Sequence, residues 1–353
     1  MADANAASAF LRNLWYRAAA ASAVRGGQLC RRIFLGEPVL LGRARDGRAF
    51  ALRDICPHRG VPLSAGKLLQ ENTIECSYHG WRFAPDGVCR FIPSLVEGQD
   101  FEASRIRVRS YPLCEQDGQI WVYMAANGRE AIAPAFDPPK VPLAGDALPR
   151  LAETQHFRCG QDHAVVGLMD PAHGPFVHQS WYWRTRNSIH AKAKRYAPSL
   201  RGFSMVAHRP SSNSFAYRAL FGGDVSTEIR FELPGVRFEH IRAGAREVVG
   251  LTTCTPIDAD NTEVTQTFYW NRGWLSLLKP FVRPFMHAFL GQDRAMVELQ
   301  REGLKFNPRL MLIPDADVPA MWYQRLKKAW DASVETGEVF VNPVPETTLK
   351  WRS

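Results

Sequence analysis

Two short stretches constrain this chain more than any other feature. They are Cys56-Pro57-His58 and Cys76-Ser77-Tyr78-His79, a C-x-H and a C-x-x-H separated by seventeen residues. Two thiolates and two imidazoles that must reach one point require two loops lying side by side. Such a set builds either a tetrahedral structural zinc site or a [2Fe–2S] cluster in which the cysteines hold one iron and the histidines the other. Spacing alone leaves both open. The chain has seven cysteines in 353 residues, an odd number in a chain too long to need disulfides. Clustered cysteines then read as metal ligands. Cys30, Cys89, Cys114, Cys159 and Cys254 have no partner at ligand spacing and read mostly as small buried hydrophobes.

At this length two domains are the natural expectation. The first 125 residues read as strands and turns. Ile33–Leu35 and Val39–Leu41 flank a Gly36-Glu37-Pro38 turn, Arg105–Arg109 alternates charged and apolar residues, and Ile120–Met124 follows Asp117-Gly118. Five prolines between Asn127 and Arg150 mark a linker or an extended strap. Beyond it, Glu228–Leu233 alternates with period two and Val264–Trp270 is rich in β-branched and aromatic residues. From about Phe285 to Glu302 the spacing becomes helical, with Met286, Phe289, Leu290, Met296 and Val297 on one face. The expectation is an α+β protein. An all-β metal-binding domain at 1–133 precedes a catalytic domain at 134–353 that has an antiparallel sheet flanked by helices.

A second constellation is Asp170-Pro171-Ala172-His173 followed by His178. Two imidazoles and a carboxylate on one face of an iron leave the other face open to dioxygen and substrate. On a straight helix, at about 100° per residue, His173 and His178 would point about 140° apart. Gly174-Pro175 between them offers a break that lets them share a metal. Asp170, at i−3 to His173, can hydrogen-bond its imidazole. Asp293 is the candidate third ligand, because a carboxylate in an apolar stripe is unfavourable unless paired or metal-bound. An ion pair with Arg294 or with a neighbouring helix is the structural alternative.

The flanks Cys56-Pro57-His58-Arg59-Gly60 and Cys76-Ser77-Tyr78-His79-Gly80-Trp81 resemble the cluster loops of Rieske oxygenases. The likeness begins near Phe10–Tyr16 and includes Ile120-Trp121-Val122. It resumes at Leu168-Met169-Asp170 with the histidine pair, and again at Gln292-Asp293 with Glu298. The sequence is similar to the single-subunit-type Rieske non-haem iron oxygenases, the group that includes dicamba and vanillate O-demethylases. The resemblance implies a [2Fe–2S] cluster on Cys56, His58, Cys76 and His79, and Fe(II) on His173, His178 and Asp293. It makes Asp170 the electron-transfer bridge between His79 of one subunit and His173 of the next in a homotrimer. Dioxygen is then co-substrate. Electrons come from a ferredoxin and/or ferredoxin reductase, and NAD(P)H serves only through that reductase, in keeping with the lack of a G-x-G-x-x-G fingerprint. One departure is Gly167, preceded by Val166, where the family commonly has Asn preceded by Asp. His163, on the same helical face as Asp170, is read as a core histidine rather than a substitute.

The implied reaction is hydroxylation or oxidative N-/O-dealkylation of an apolar aromatic substrate, as in aromatic degradation. Alternatives are ring dihydroxylation and a Rieske electron carrier without oxygenase activity. Trp181, Trp183, Phe231 and Trp270 are candidate pocket residues, with Tyr182, Phe238 and Phe268 nearby. The net charge of +9 is spread along the chain with no run of five basic residues, against a nucleic-acid tract. No apolar run reaches the ~18–20 residues needed to span a bilayer. The N-terminus lacks the pattern of a secretory signal, so a cytoplasmic location is expected.

Overall fold

A computed structural model of the chain describes residues 10–126, 133–143, 147–179, 186–210 and 224–353. The chain forms two compact units. One is Arg12–Pro139 and the other is Lys140–Ser353 together with Leu11.

The first unit is built of short antiparallel strands. They are β1 (Leu14–Ala20), β2 (Leu29–Phe34), β3 (Glu37–Arg43), β4 (Ala49–Arg53), β5 (Lys67–Leu68), β6 (Ile74–Glu75), β7 (Arg82–Phe83), β8 (Cys89–Phe91), β9 (Ser110–Tyr111), β10 (Leu113–Gln116) and β11 (Gln119–Met124). They pair as β1-β11-β10, β2-β3-β4-β9 and β5-β6-β7-β8. The β2–β3 hairpin turns one residue earlier than the sequence suggests. Leu35 and Gly36 take positive φ (53° and 74°), the twist that two-residue hairpins favour, so Glu37 and Pro38 already belong to β3. Arg105–Arg109 is not a strand. Its burial alternates and Arg107 bridges to Val88, with Cys89 N–H donating to the Ile106 carbonyl and Val108 N–H to that of Gly87, but Arg105 ends a short 3-10 turn and the pairing stops at this single bridge. The proline-rich strap anchors on this unit: Trp15 Nε1 donates to the Phe136 carbonyl (2.7 Å) and Gln116 Nε2 to that of Pro138 (3.2 Å).

The second unit is an eight-stranded antiparallel sheet among the described residues. Its strands are β12 (Leu151–Phe157), β13 (Ala191–Ser199), β14 (Gly202–His208), β15 (Ser226–Glu232), β16 (Val236–Ala243), β17 (Arg246–Pro256), β18 (Thr262–Trp270) and β19 (Thr347–Arg352). Their order is β12-β18-β17-β16-β15-β14-β13-β19. Among the described residues four helices accompany it: α1 (Gln161–Met169), α2 (Gly174–Val177), α3 (Lys279–Leu304) and α4 (Val318–Thr336). α3 begins six residues before the expected start. Pro280 occupies its first turn, where a missing amide donor is no loss, and Pro284 is carried inside it. Met286, Leu290, Asp293 and Val297 form its buried face, whereas Met296 is exposed.

Polar ties fix these helices. Gln155 Nε2 of β12 donates to the His287 carbonyl of α3 (2.8 Å). Tyr323 Oη and Lys327 Nζ of α4 donate to the Asp162 carboxylate of α1 (2.8 and 2.6 Å). Gln161 Nε2 donates to the Cys254 carbonyl (2.9 Å). The N-terminal end of α1 is therefore held against both sheet and helix, and the second constellation begins where α1 ends, at Asp170. No described helix is long and apolar enough to cross a membrane.

Candidate metal centres

In the first unit the two cysteine–histidine loops are built alike. Cys56 N–H donates to the Val61 carbonyl and Gly60 N–H to that of Cys56; Cys76 N–H donates to Trp81 and Gly80 N–H to Cys76. Each loop therefore closes at the fourth and fifth residue after its cysteine. Each closing glycine has positive φ, 74° at Gly60 and 67° at Gly80, which side chains other than glycine adopt at a cost. A Cβ on Gly80 would also come within 3.0 Å of Pro93 Cγ.

This pairing brings the four candidate ligands together. The His58 and His79 rings lie 4.4 Å apart, and His58 stacks on Trp81 at 4.6 Å and 5°. Cys56 and Cys76 are buried free thiols. Burial, with Cys76 alongside, pushes the Cys56 thiol up to about 11, although the His58 and Arg59 amides donate to its sulfur. His58 Nδ1 is buried without a hydrogen-bond partner among the described residues. An orphaned imidazole nitrogen beside two adjacent thiols is an unfavourable arrangement that coordination relieves. The donor set fits a metal group of two sulfurs and two nitrogens.

In the second unit His173 and His178 stand at the two ends of α2, a single helical turn. Pro175 does not break a helix between them; it sits in the first turn, where it is tolerated. Instead the chain leaves helical geometry at His178 (φ −97°, ψ 37°). His173 Nε2 and His178 Nε2 are 3.1 Å apart. Asp293 Oδ1, from α3, lies 3.0 Å from His178 Nε2 and 3.7 Å from His173 Nε2. One potential ligand atom from each falls within 4.8 Å of the others.

The outer nitrogens are held as well. His173 Nδ1 donates to the Asp170 backbone carbonyl (2.9 Å) and His178 Nδ1 to Gln292 Oε1 (3.0 Å). Both Nε2 lone pairs then turn inward, the usual arrangement of metal-binding histidines. Phe289 stacks on His178 at 3.6 Å. Burial holds His173 below the ordinary histidine pKa, favouring the neutral ligand form. The set fits a divalent iron.

The Asp170 carboxylate is one step removed from the bond expected of it. Its Oδ1 accepts the Ala172 amide (2.7 Å), and its Oδ2 lies 3.7 Å from His173 Nδ1. Gly167 faces α3, where an added Cβ would lie 3.4 Å from Val297 Cγ1. Gln292 is the residue that sequence reasoning left without a role.

A cavity of about 320 Å³ opens beside the triad. Phe231 lines it, as do Phe203, Phe268 and Phe289. Trp270 does not. It shares a strand face with Phe268, but the turn after β18 covers it, its Nε1 donating to Ser276 Oγ (3.2 Å) within a cluster of Leu275 and Met286. Phe238 points to the opposite face from its cavity-lining neighbours Arg237 and Glu239. Trp181, Tyr182 and Trp183 lie outside the described residues.

Residues 14–112 match the Rieske [2Fe-2S] domain, and residues 157–333, half of the chain, match the vanillate O-demethylase oxygenase C-terminal domain. The chain belongs to the Rieske oxygenases of the vanillate O-demethylase type. Among curated members it is similar to the oxygenase component of dicamba O-demethylase from Stenotrophomonas maltophilia, 36% identical over 48% of this chain and 48% of that one. It is also similar to the iron-sulfur subunit TsaM1 of the toluene-4-sulfonate monooxygenase system of Comamonas testosteroni, 38% identical over 48% of this chain and 47% of that one. The chain spans about half or less of the length of the curated relatives it matches. The fold of this Rieske oxygenase is that of dicamba monooxygenase bound to dicamba, at a TM-score of 0.71 and 23% identity over 93% of this chain and 99% of that one. Pseudomonas putida CBB5 NdmA with caffeine gives a TM-score of 0.73 at 18% identity, over 97% and 99%.

Proposed function

We propose that this chain is a terminal oxygenase that hydroxylates, or oxidatively N- or O-dealkylates, an apolar aromatic substrate with electrons from a separate ferredoxin and/or reductase. The observation that carries this reading is the convergence of His173 Nε2, His178 Nε2 and Asp293 Oδ1 beside an aromatic-lined cavity, in a chain that also holds the Rieske loops. Cys56, His58, Cys76 and His79 would hold a [2Fe–2S] cluster, and His173, His178 and Asp293 would hold Fe(II). When bound, these groups supply one-electron storage and the activation of dioxygen.

The remaining tasks belong to the chain. Asp170 O and Gln292 Oε1 keep protons on the outer imidazole nitrogens, and Phe289 holds the His178 ring in plane. Phe203, Phe231 and Phe268 bind an aromatic body and exclude water. Two relatives named as dicamba O-demethylase and as chloroacetanilide N-alkylformylase, oxygenase components both, support dealkylation as the reaction class.

Asp170, with a third of its side chain exposed, and the exposed His79 are each free to meet a second copy. Exposed Phe306, Leu310, Met311 and Ile313 offer apolar surface for self-association. These features support the homotrimer in which Asp170 links His79 of one copy to His173 of the next.

The test is to reduce the loaded protein and expose it to ¹⁸O₂ with a panel of methoxy- and N-methyl-arenes. The reading expects formaldehyde from at least one member, or an ¹⁸O-hydroxylated product. A protein that holds both metal groups and turns over none of the panel, with a reductase present, would favour the electron-carrier alternative.

A further inference from the structure

One wall of the cavity reverses the usual pattern of a half-buried strand. Antiparallel strands commonly turn apolar residues inward and charged ones to solvent. In β13 the residues facing the cavity are Lys192, Lys194 and Tyr196, while Ala191, Ala193 and Arg195 between them are exposed. Lysines point in and alanines point out. Inward charge can protect a sheet edge from aggregation, but β13 lies between β14 and β19 in the strand order. It pairs with β14 along Tyr196–Ser199 and with β19 along Ala191–Tyr196, the stretch that carries the lysines.

Lys194 carries this observation furthest. Its Nζ donates to the Arg209 carbonyl at 3.1 Å, a neutral acceptor. Glu239, a carboxylate on the same cavity wall, is engaged by Arg237 Nη2 at 3.2 Å. His208, also on the wall, has its Nδ1 on the Val206 carbonyl (2.9 Å). Burial lowers the Lys194 pKa, and no acidic neighbour among the described residues offsets it. A partly desolvated ammonium without a counter-charge is unfavourable, and an oxyanion in the cavity would compensate it. Around it the surface is apolar: Phe203, Met205 and Phe231 line the same space.

We propose that Lys194 recognises a carboxylate or sulfonate on the substrate, whose aromatic body lies against Phe203 and Phe231. This rests on the oxygenase reading and narrows its substrate from a wholly apolar aromatic to one whose apolar body carries a single anionic group. Anchoring the anion at β13 leaves the rest of the molecule to face the triad. Hydrogen bonds to charged groups carry enough free energy for an effect of about ten- to a hundredfold in affinity.

The experiment reads binding without turnover, so its failure is distinct from a failure of catalysis. Iron- and cluster-loaded protein is titrated calorimetrically with matched pairs: 4-methoxybenzoate and 4-methoxybenzamide, 2-naphthoate and 2-naphthamide, toluene-4-sulfonate and toluene-4-sulfonamide. At least one anion should bind about tenfold or more tightly than its neutral partner. Lys194→Met should abolish that preference while sparing the neutral partner, and Lys194→Arg should keep it. If Lys194→Met lowers the unfolding midpoint, Lys194→Gln takes its place. The proposal is overturned if no anion outbinds its partner in the wild type, whether or not either binds. It is equally overturned if the substitution weakens anion and neutral partner alike.

Discussion

Replacing Gln292 by leucine removes one hydrogen bond and leaves every candidate ligand in place. The bond is His178 Nδ1–H to Gln292 Oε1 at 3.0 Å, and its loss has two consequences. The Nδ1–H tautomer loses its acceptor, so the imidazole spends more time with the proton on Nε2, where it cannot bind a metal. The ring also gains rotational freedom, but the Phe289 stack at 3.6 Å limits that. Groups that orient a metal ligand from behind are typically responsible for a ten- to hundredfold change in metal affinity. Phe289 remains and Gln292 is itself exposed, so water can partly replace the amide. Gln292→Leu should therefore fall at the low end, about tenfold weaker Fe(II) binding, or about 1.4 kcal/mol. Fold stability should change by no more than the ~1 kcal/mol of a typical hydrogen bond. Gln292→Glu supplies a stronger acceptor and should bind Fe(II) at least as tightly as the wild type. The assay is anaerobic competition for Fe(II) between cluster-loaded protein and a chromogenic chelator, with thermal unfolding alongside. Equal affinities for wild type and Gln292→Leu would refute the claim that this bond sets the His178 tautomer.

Three further outcomes follow from the geometry. Asp293→Ala should lose the mononuclear iron while keeping the cluster, seen as a fall from about three irons per chain to about two; retention of the third iron would remove Asp293 from the ligand set. Gly80→Ala forces a Cβ into positive φ and to within 3.0 Å of Pro93 Cγ. It should destabilise by about 1–2 kcal/mol and lower cluster occupancy, read from visible absorbance and unfolding midpoint. Burial raises the Cys159 thiol to about 11. The folded chain therefore keeps its proton where the unfolded chain releases it. That contribution is whole below about pH 9 and is lost as pH rises toward 11; Cys159→Ala should flatten the decline of stability over that window in denaturant titrations.

The parts of the site that were legible in the sequence are those whose chemistry is local. Cys56, His58, Cys76 and His79 sit in loops so short that ligand spacing and the glycines at 60 and 80 nearly dictate the turn. Asp293 stood out because a carboxylate among Met286, Leu290 and Val297 demands a partner. Other features depend on neighbours distant in sequence. Gln292 is exposed on α3, and no periodicity marks it as the acceptor for a histidine 114 residues away. In Ala191–Arg195 the lysine alternation reads as a solvent-facing pattern, and only the sheet shows that the lysines face inward. Phe231 and Trp270 looked equivalent as aromatic strand residues; the turn after β18 separates them. Arg105–Arg109 has the burial of a strand, but Arg105 closes a 3-10 turn and the pairing is limited to one bridge with Val88, a limit set by the partner segment that periodicity does not reveal.

The central claim is that one chain carries both a histidine-ligated [2Fe–2S] cluster and a separate mononuclear iron. Metal analysis combined with EPR of the dithionite-reduced protein, purified anaerobically, tests it most directly. The account predicts about three irons per chain and the low average g-value of a Rieske centre. Zinc in place of iron, with no paramagnetic signal, would contradict it.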